Sequence, residues 1–372
     1  MFAGRLGVAL YWLKTRAQVT WRERRRWRRS EPAKGGPRVF YGLDHLPGRG
    51  ELSGGGIIKS QDLAAVYPNT PSGANILYLV SSALPPLPGI MIREARRRGV
   101  KVVLNQNGVA YPAWHGAGWE RTNAVLAEVI HGADHVIYQS AFCKMAADRF
   151  LGPCRGSHEI LHNPVDTQVF TPPAVEPAAD RTVLLTAGTQ HQPYRVQVAV
   201  DVLARVRAED PRVRLSVAGR LRWQADERRC REDLDRWARE RGVSGAVEVR
   251  GPYTQEQAPD LFRGAGILLH TTYNDVCPRL VVEAMACGLP VVYSASGGVG
   301  ELVGPEAGIG IPAPLDWERL HTPDAAAMAA AVLRIVRSPR EYSAAARTQA
   351  VSLFDVRPWL ERHRLLFEKV LR

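Results

Sequence analysis

Two carboxylates and the start of a helix lie close together between residues 267 and 301. Asp275 precedes a helix predicted from about Arg279 to Cys287, and Glu283 falls in the second turn of that helix. The first N–H groups of a helix, here from Cys277 to Val281, have no partner within it and favour an anion such as a diphosphate. Carboxylates are poor phosphate ligands but good acceptors for hydroxyl groups. The pattern therefore indicates a ligand that carries both phosphate and sugar hydroxyls.

The residues around these groups predict one strand–helix–strand unit of a parallel sheet. Ile267 to Leu269 is a short apolar strand, and Val291 to Tyr293 is a second buried strand, followed by a Gly297-Gly298 loop. Between the strands, Gly288 suits the left-handed C-terminal cap of the helix, and Pro290 prevents its continuation. Ligands of open α/β sheets bind at the carboxyl ends of strands, which is where the helix N-terminus would lie.

This stretch resembles the donor-site motif of the retaining GT-B glycosyltransferases of family 4, also called glycosyl transferases group 1. That motif has two acidic residues separated by seven others, and then Ala-Met-Ala-Cys-Gly-Leu-Pro-Val-Val, which this chain carries from residue 284 to 292. In the family, the second acid, matched by Glu283, bonds the ribose hydroxyls of the nucleotide. The first acid, matched by Asp275, contacts the donor sugar. The family usually has Glu at the first position, so Asp275 is a departure with a shorter side chain.

The resemblance implies an α/β fold of the GT-B type: two Rossmann-like domains facing a cleft, with a C-terminal helix that returns to the first domain. A length of 372 residues suits two domains with ample cores. The predicted parts are a basic N-terminal arm over 1–35, an acceptor domain over 36–170, a stiff linker over 171–180, a nucleotide-sugar donor domain over 181–350 and a crossing helix over 351–372.

A leaving diphosphate needs a cation as well as helix N–H groups. The family usually supplies Arg and Lys from the loop after the first strand of the second domain, but Thr189 stands where Arg is usual. Arg195 is the preferred candidate for this cation, although it can also be read as a surface residue at the start of a helix predicted from about Val196 to Asp210. Arg220 is a second, weaker candidate. The predicted donor-binding residues are Glu283, Cys277, Pro278, Arg279, Leu280, Val281, Gly188, Thr189 and Arg220.

The first domain offers candidate acceptor groups after two of its predicted strands. One group follows the strand from Arg38 to Tyr41, in a glycine-rich loop that lets a ligand approach the backbone and precedes a helix predicted from about Ile58 to Tyr67. The other follows the strand from Val100 to Leu104, where amides suit sugar binding. These residues are Gly54, Gly55, Gly56, Asn105 and Asn107. His115 is the candidate catalytic histidine of this domain, together with Asp275 and Arg195 in the second, and an exposed loop histidine is the alternative interpretation.

The resemblance implies transfer without a metal or a cofactor, since the nucleoside diphosphate sugar is a substrate. His131 and His135 are four residues apart, as a metal-binding pair can be, but Gly132 and the two residues after it break the helix between them. We therefore expect no metal site. Five scattered cysteines without a CxxC are typical of free thiols in a reducing cytoplasm.

The net charge of +12 is concentrated near the N-terminus, where residues 1–38 hold eleven Lys or Arg and two acidic residues. A basic helix over residues 1–30 can lie on an anionic membrane surface, at about 1 kcal/mol per basic residue. A solvated arm and a nucleic-acid contact are the alternatives, and the second is disfavoured because no nucleic-acid-binding module accompanies the arm. No apolar run spans a bilayer, and no signal peptide is expected, so we predict a cytoplasmic protein that can be peripheral on the inner face of the cell membrane.

Together these observations predict a retaining hexosyltransferase that moves a sugar from a nucleoside diphosphate sugar to a saccharide or lipid-linked hydroxyl acceptor, in cell-surface polysaccharide or glycolipid synthesis. A GT-B nucleotide-sugar epimerase, which needs no acceptor, is one alternative. A non-catalytic GT-B relative that docks on membranes is another, and the Thr189 departure favours it. The base, the sugar, the acceptor and the linkage stay open.

Overall fold

The computed structural model describes residues 2–28, 35–174 and 182–372, with side chains from residue 13 onward. The chain divides into two compact units. The first comprises Met1–Gly48, Gly54–Leu161 and Leu360–Arg372, and the second comprises Arg49–Ser53 and His162–Trp359. Residues 29–34 of the predicted arm and 175–180 of the predicted linker lie outside the described residues.

The first unit is built on a parallel sheet. Its strands are β1 Val39–Phe40, β2 Ile76–Val80, β3 Lys101–Gln106, β4 His135–Tyr138 and β5 Ser157–Ile160. Its helices are α1 Phe2–Trp27, α2 Gly55–Ala64, α3 Pro88–Arg96, α4 Pro112–His115, α5 Trp119–Gly132 and α6 Ala141–Leu151. The strands pair in the order β1-β2-β3-β4-β5. All five residues of β2 are buried, which explains why this strand reads as a continuous apolar run.

The second unit is a larger parallel sheet. Its strands are β6 Val183–Thr186, β7 Arg214–Ala218, β8 Val247–Gly251, β9 Ile267–His270, β10 Val291–Ser294 and β11 Gly308–Ile311. Its helices are α7 Tyr194–Glu209, α8 Glu227–Glu240, α9 Ala258–Arg263, α10 Arg279–Ala286, α11 Val299–Val303, α12 Ala325–Arg337 and α13 Pro339–Phe354. The strands pair in the order β11-β10-β9-β6-β7-β8. Successive strands are added on one side of β6 up to β8 and on its other side from β9 onward, so the strand order reverses between β6 and β9.

Each face of the second sheet has its own apolar core. Leu184 packs in one cluster with side chains of α7, α8 and α12, and its neighbour Leu185 packs in the other with side chains of α9, α10 and α13. Leu269 and Leu268 divide in the same way, because successive side chains of a strand point to opposite faces. Each fully buried Leu contributes about 1.5–3 kcal/mol relative to exposure. Helices therefore cover both faces of the sheet, and the carboxyl ends of its strands are where a ligand can bind.

The last helix, α14 Val356–Leu371, carries the chain back to the first unit, as the sequence predicted. His363 Nε2 lies 3.1 Å from the hydroxyl of Tyr78, and the ring of Phe367 packs edge-on against Tyr67 and Tyr78. Arg362 pairs with Glu159 of β5. The predicted α/β fold of two parallel sheets, with a C-terminal helix that returns to the first unit, is confirmed.

The predicted start of α2 is wrong by three residues. The helix begins at Gly55 rather than Ile58, and the N–H of Ile57 already bonds to the carbonyl of Gly54 at 2.9 Å. A Cβ on Gly56 would lie 2.5 Å from Ser82 Oγ, so the first turn packs too closely for any other residue. The glycines that predicted a loop are instead the start of the helix.

Two strand bounds of the first unit also differ from the prediction. β3 continues through Asn105 and Gln106, which were predicted to follow it, because both residues pair with β4. The sequence predicts a strand from Glu159 to Asn163, but β5 is Ser157–Ile160, because Ser157 pairs with the first residue of β4. Asn105 therefore belongs to the end of a strand and not to a loop. Among the described residues, no helix is both long and apolar enough to cross a bilayer.

Candidate functional site

The loops after β6 and β9 meet where the strand order of the second sheet reverses. β6 and β9 are parallel neighbours, so their carboxyl ends lie side by side. The hydroxyl of Thr271 donates to the carbonyl of Arg195 at 2.9 Å, and the hydroxyl of Tyr194 accepts from the N–H of Tyr273 at 2.9 Å. These bonds fix the first turn of α7 against the loop after β9. Arg195 lies in that turn because α7 begins at Tyr194, two residues earlier than predicted.

Glu283 is buried in the second turn of α10 and is held on one side. Its Oε1 accepts from Gln255 Nε2 and from Arg279 Nε, both at 2.8 Å. Oε2 accepts no hydrogen bond from any part of the chain that the structure describes. The carboxylate is therefore oriented by protein groups through one oxygen and can accept ligand hydroxyls through the other.

The N-terminus of α10 has the form of an anion site. Pro278 is the N-cap residue, and no side chain caps the helix, so the N–H of Leu280 has no side-chain acceptor there. The carbonyl of Cys277 accepts from Asn163 Nδ2 at 2.5 Å, which anchors the loop just before the helix. The N–H of Val281 bonds to the carbonyl of Pro278 at 3.0 Å. The predicted phosphate-binding residues thus lie together at this helix start.

Asp275 is paired with a histidine that the sequence analysis did not single out. His270 Nε2 lies 3.1 Å from Asp275 Oδ2, and His270 is the last residue of β9. Burial raises the pKa of Asp275, but the hydrogen bond and charge of His270, the charge of Arg195 and the N–H of Val276 together bring it below its usual value. Asp275 is therefore ionised at neutral pH beside the predicted phosphate-binding residues.

Positive charge is concentrated after β6 and β7. Arg195 Nη1 donates to the carbonyl of Thr189 at 3.3 Å, while its buried Nε has no hydrogen-bond partner among the described residues. Burial and then the charges of Arg195 and Arg222 lower the pKa of His191, which lies in the same loop. Arg220 is exposed, and its carbonyl accepts from Gln190. The guanidinium groups of Arg195 and Arg222 thus both contribute to the lowered pKa of His191.

Glycines let these loops approach one another. Gly188 has a φ of +89°, and a Cβ on Gly219 (φ +108°) would lie 2.1 Å from the carbonyl oxygen of Gly188. After β10, Gly297 has a φ of +82°, and its Cβ would lie 2.4 Å from the carbonyl oxygen of Asp275. The N–H of Gly298 bonds to that oxygen at 2.8 Å. The backbone that carries Asp275 is therefore held from the β10 side as well.

A buried polar cluster lies at the carboxyl edge of the first sheet. Lys59, of which 1% is exposed, donates from Nζ to Oδ1 of Asn105 at 3.0 Å and to Oδ1 of Asn107 at 3.1 Å. Gln139 Nε2 donates to the same two oxygens. Asn107 Nδ2 donates to Ser82 Oγ at 2.7 Å. The two predicted acceptor-side amides are thus brought together by a lysine from α2 and a glutamine after β4.

The other predicted residues of the first unit lie in more open surroundings. A Cβ on Gly54 or Gly55 would meet no atom within 4 Å, whereas one on Gly56 would meet Ser82. His115 is exposed at the end of α4, and its Nε2 lies 2.9 Å from Thr122 Oγ1. Among the described residues no hydrogen bond joins His115 to the Lys59 cluster, so the catalytic role of His115 stays a prediction.

His131 and His135 lie on different elements, and the expectation of no metal site stays a prediction. His135 is buried in β4, with Nδ1 2.8 Å from Ser157 Oγ and Nε2 3.2 Å from Glu159 Oε1. His131 lies in the last turn of α5. Across residues 2–28, 35–174 and 182–372, no three His, Cys, Asp or Glu side chains are grouped to hold a metal ion.

Several residues of these sites carry no local sequence signal. Gln255 reaches Glu283 from the loop after β8, and Lys59 reaches Asn105 from α2. Only the fold brings these partners together. His270 was discoverable, because it is a polar residue at the end of an apolar strand, five residues before Asp275.

Comparison with known proteins identifies related sequences for part of the chain. Residues 181–338 match the family model of glycosyl transferases group 1. The D-inositol 3-phosphate glycosyltransferase of Mycolicibacterium smegmatis is 29% identical over 180 residues, which cover 46% of this chain and 40% of that protein. The gpi3 subunit of phosphatidylinositol N-acetylglucosaminyltransferase from Schizosaccharomyces pombe is 25% identical over 214 residues, covering 57% and 44%. The chain therefore spans about two fifths of the length of the curated relatives it matches.

Solved structures share the fold over most of the chain. Sucrose-phosphate synthase from Thermosynechococcus elongatus aligns with a TM-score of 0.64 and 20% identity, over 84% of this chain and 76% of that one. Anabaena HepE in complex with UDP-glucose aligns with a TM-score of 0.62 and 17% identity, over 80% and 79%. At these identities the likeness establishes the fold alone.

Proposed function

The chain has the GT-B fold and, over residues 181–338, the sequence of glycosyl transferases group 1, and from this premise we propose that it is a retaining glycosyltransferase. It transfers a hexose-type sugar from a nucleoside diphosphate sugar to a hydroxyl acceptor. The second unit binds the donor, and the first unit binds the acceptor. The observation that carries the proposal is the half-satisfied carboxylate of Glu283 beside the uncapped start of α10.

Glu283 is proposed to bind the ribose. Its Oε1 is already held by Arg279 and Gln255, which leaves Oε2 as the acceptor for a ribose hydroxyl. A hydrogen bond to a charged group contributes about 1.5–3 kcal/mol. Because Oε1 is held by two protein donors, the direction in which Oε2 accepts a ligand hydroxyl is also fixed. The same two protein partners prevent the carboxylate from turning away when the ligand leaves.

The diphosphate is proposed to lie between the start of α10 and the first turn of α7. The N–H groups of α10 offer hydrogen bonds and the positive end of the helix dipole. Arg195, tied to the β9 loop through Thr271, offers a guanidinium whose Nε has no partner among the described residues. Charge develops on the diphosphate as the sugar leaves, so donors fixed in advance stabilise the transition state more than the ground state.

Asp275 is proposed to position the donor sugar. Its carboxylate is ionised and oriented by His270, so it can accept hydroxyl groups of the sugar while the diphosphate lies against Arg195. Retention of the anomeric configuration requires the acceptor to attack from the face that the diphosphate leaves. A phosphate oxygen of the donor would then take the proton of the acceptor hydroxyl, and His115 stays a candidate for a supporting role.

The acceptor is proposed to carry a hydroxyl on a saccharide or on a lipid-linked group, as expected for cell-surface polysaccharide or glycolipid synthesis. The cluster of Lys59, Asn105 and Asn107 supplies a buried cation and amides at the carboxyl edge of the first sheet. Two relatives are named for acceptors that contain phosphorylated inositol. D-inositol 3-phosphate and phosphatidylinositol vesicles are therefore the first acceptors to test.

The test is direct. The chain is titrated calorimetrically with UDP, GDP and ADP, and the nucleotide sugars of the base that binds are then incubated with and without the acceptors. We expect one base to bind, Glu283→Gln to weaken that binding, and an α-linked product from an α-linked donor by NMR. Turnover of the nucleotide sugar to an isomer without acceptor would indicate an epimerase instead. Absence of nucleotide binding by a folded chain would exclude both enzymes and leave the non-catalytic alternative.

A further inference from the structure

A basic pocket of about 520 Å³ lies where the end of α1 meets the end of α3 in the first unit. Its lining residues are Arg24, Trp27, Arg28, Glu94, Arg97 and Arg98. Four guanidinium groups thus surround a single carboxylate. Because α3 leads into the amino end of β3, this pocket lies at the edge of the sheet opposite the Lys59 cluster.

Glu94 organises the pocket without neutralising it. Its buried carboxylate accepts from Arg97 Nη1 at 2.6 Å and lies 3.5 Å from Arg24 Nε. Arg28 and Arg98 form no ion pair within the described ranges. A guanidinium has five N–H donors, so even the two paired arginines retain donors for oxygen atoms of a ligand. The pocket therefore has an excess of positive charge and of hydrogen-bond donors.

Trp27 forms a rigid part of the pocket wall. Only 1% of this residue is exposed, and its ring is held edge-on against Phe40, with ring centroids 5.9 Å apart. The groups that can bind an anion in the pocket are therefore the guanidinium groups of the arginines.

The exposed face of α1 favours the headgroup of a membrane lipid over a soluble molecule as the anion. Glu23 and Trp27 are buried, so α1 attaches to the unit through this side. Leu13 and Trp21 are 65% and 64% exposed, and Arg25 lies over the ring of Trp21 at 5.5 Å. At 100° per residue, Leu13, Trp21 and the pocket residue Arg24 fall within a quarter of the helix circumference. Exposed Trp and Leu beside arginines suit the boundary between lipid headgroups and acyl chains.

We propose that the pocket lined by Arg24, Arg28, Arg97 and Arg98 binds the phosphate of an anionic phospholipid. Trp21 and Leu13 would enter the membrane interface beside it. The pocket gives the bound lipid a defined place, beyond the general attraction of a basic helix to negative charge. A soluble phosphate would occupy the arginines but would give no role to Trp21 and Leu13. The inference concerns binding only, and it stands whether or not the chain transfers a sugar.

Co-sedimentation of the full chain with vesicles tests the proposal. The vesicles contain phosphatidylcholine alone or with phosphatidylglycerol. One variant is Arg97→Gln with Arg98→Gln, which lies outside the basic arm, and a second is Arg24→Gln with Arg28→Gln. The matched control is Arg121→Gln with Arg155→Gln, which removes the same charge at two exposed positions of the first unit that form no ion pair with described residues. Thermal unfolding shows that each variant is folded.

We expect binding to the anionic vesicles only, a loss of roughly tenfold or more in both pocket variants, and little change in the control. Equal losses in pocket and control variants would mean that the net charge alone drives binding, and would overturn the proposal. Binding of soluble glycerol phosphate as tight as that of the vesicles would overturn the lipid source. Tighter binding of single-stranded RNA than of anionic vesicles would assign the arginines to nucleic acid instead. A failure of donor binding in the calorimetric test leaves all these outcomes unaffected.

Discussion

Arg279 and Glu283 lie one turn apart on α10 and form an ion pair of 2.8 Å, with 6% and 5% of their side chains exposed. A buried pair of this kind adds little net stability compared with apolar residues, although removing one partner costs about 3–5 kcal/mol. The pair also leaves Oε2 of Glu283 unoccupied by described residues. Its arrangement is thus better explained by ligand binding than by stability.

Glu283→Gln should weaken nucleotide binding by about 10–100-fold. The amide can keep one oxygen for Arg279 and Gln255, but it places a donor where Oε2 accepted, and the lost bond to a charged group contributes about 1.5–3 kcal/mol. The dissociation constant is measured by calorimetry. The control is Glu248→Gln, whose carboxylate is half-exposed and pairs with Arg250 on β8. Unchanged nucleotide affinity in a folded Glu283→Gln protein contradicts the ribose assignment.

Arg195→Met should separate phosphate binding from base binding. We expect the affinity for the nucleoside diphosphate to fall about tenfold or more, because a desolvated guanidinium–phosphate contact is lost, while affinity for the phosphate-free nucleoside is unchanged. Arg205→Met is the control, since Arg205 is exposed on the same helix. If both ligands weaken equally, Arg195 supports the fold of the loop and does not contact phosphate.

Gly297→Ala should destabilise the second unit by about 2 kcal/mol or more. The position has a left-handed φ, which costs about 1–2 kcal/mol for a residue with a Cβ, and that Cβ would overlap the carbonyl of Asp275. Gly245→Ala is the control, because a Cβ there meets no atom within 4 Å. Urea unfolding measures both. A free energy of unfolding equal to that of the unmodified chain would show that the loop can move aside.

Asp355 should make the second unit sensitive to acid. Burial raises the pKa of Asp355, but the side-chain bonds from Arg357 and Thr167 and the N–H of Arg357 lower it to about 2. A carboxylate whose pKa is lower in the folded state stabilises the fold above its unfolded pKa, and this contribution is lost as the pH falls through the folded pKa. The free energy of unfolding should therefore decrease between about pH 4 and pH 2.

Asp355→Asn isolates this effect. The variant should be less stable at neutral pH, and the part of the acid loss that belongs to Asp355 should disappear from its pH profile. Asp235→Asn is the control, since Asp235 is exposed on α8 and forms no ion pair with described residues. An identical acid profile for Asp355→Asn and the unmodified chain would show that other carboxylates dominate.

The geometry of the candidate donor site was predictable from the sequence because its signals are local. Pro278, Glu283 and Gly288 fall within eleven residues of one predicted helix. Pro278 marks its start, Glu283 lies in its second turn and Gly288 forms its C-terminal cap, so each role depends only on the position in that helix. The parallel pairing of the two strands that flank this helix was also predicted from local patterns, and the structure confirms it. In contrast, α2 was misjudged because three glycines favour a loop, and only the approach of Ser82 explains Gly56 in a helix.

The acceptor-side cluster was less predictable, because its members are distant in the chain. Asn105 and Asn107 were identified, but Lys59 lies 46 residues before Asn105, and Gln139 lies 34 residues after it. A lysine on a helix is usually solvated, so no local pattern marks this one as buried. Its burial depends on the pairing of β2, β3 and β4, and no pattern near Lys59 in the sequence specifies that pairing.

Lys59→Met should therefore affect both stability and acceptor use. The buried oxygens of Asn105 and Asn107 would lose one of their donors, which costs about 1–3 kcal/mol, and the amides would no longer be held in one orientation. We expect the Michaelis constant for the acceptor to rise while the dissociation constant of the nucleotide stays constant, since the nucleotide is proposed to bind the second unit. Lys101→Met, at the partly exposed start of β3, is the control. A change in nucleotide affinity with unchanged acceptor kinetics would contradict the assignment of the acceptor to this cluster.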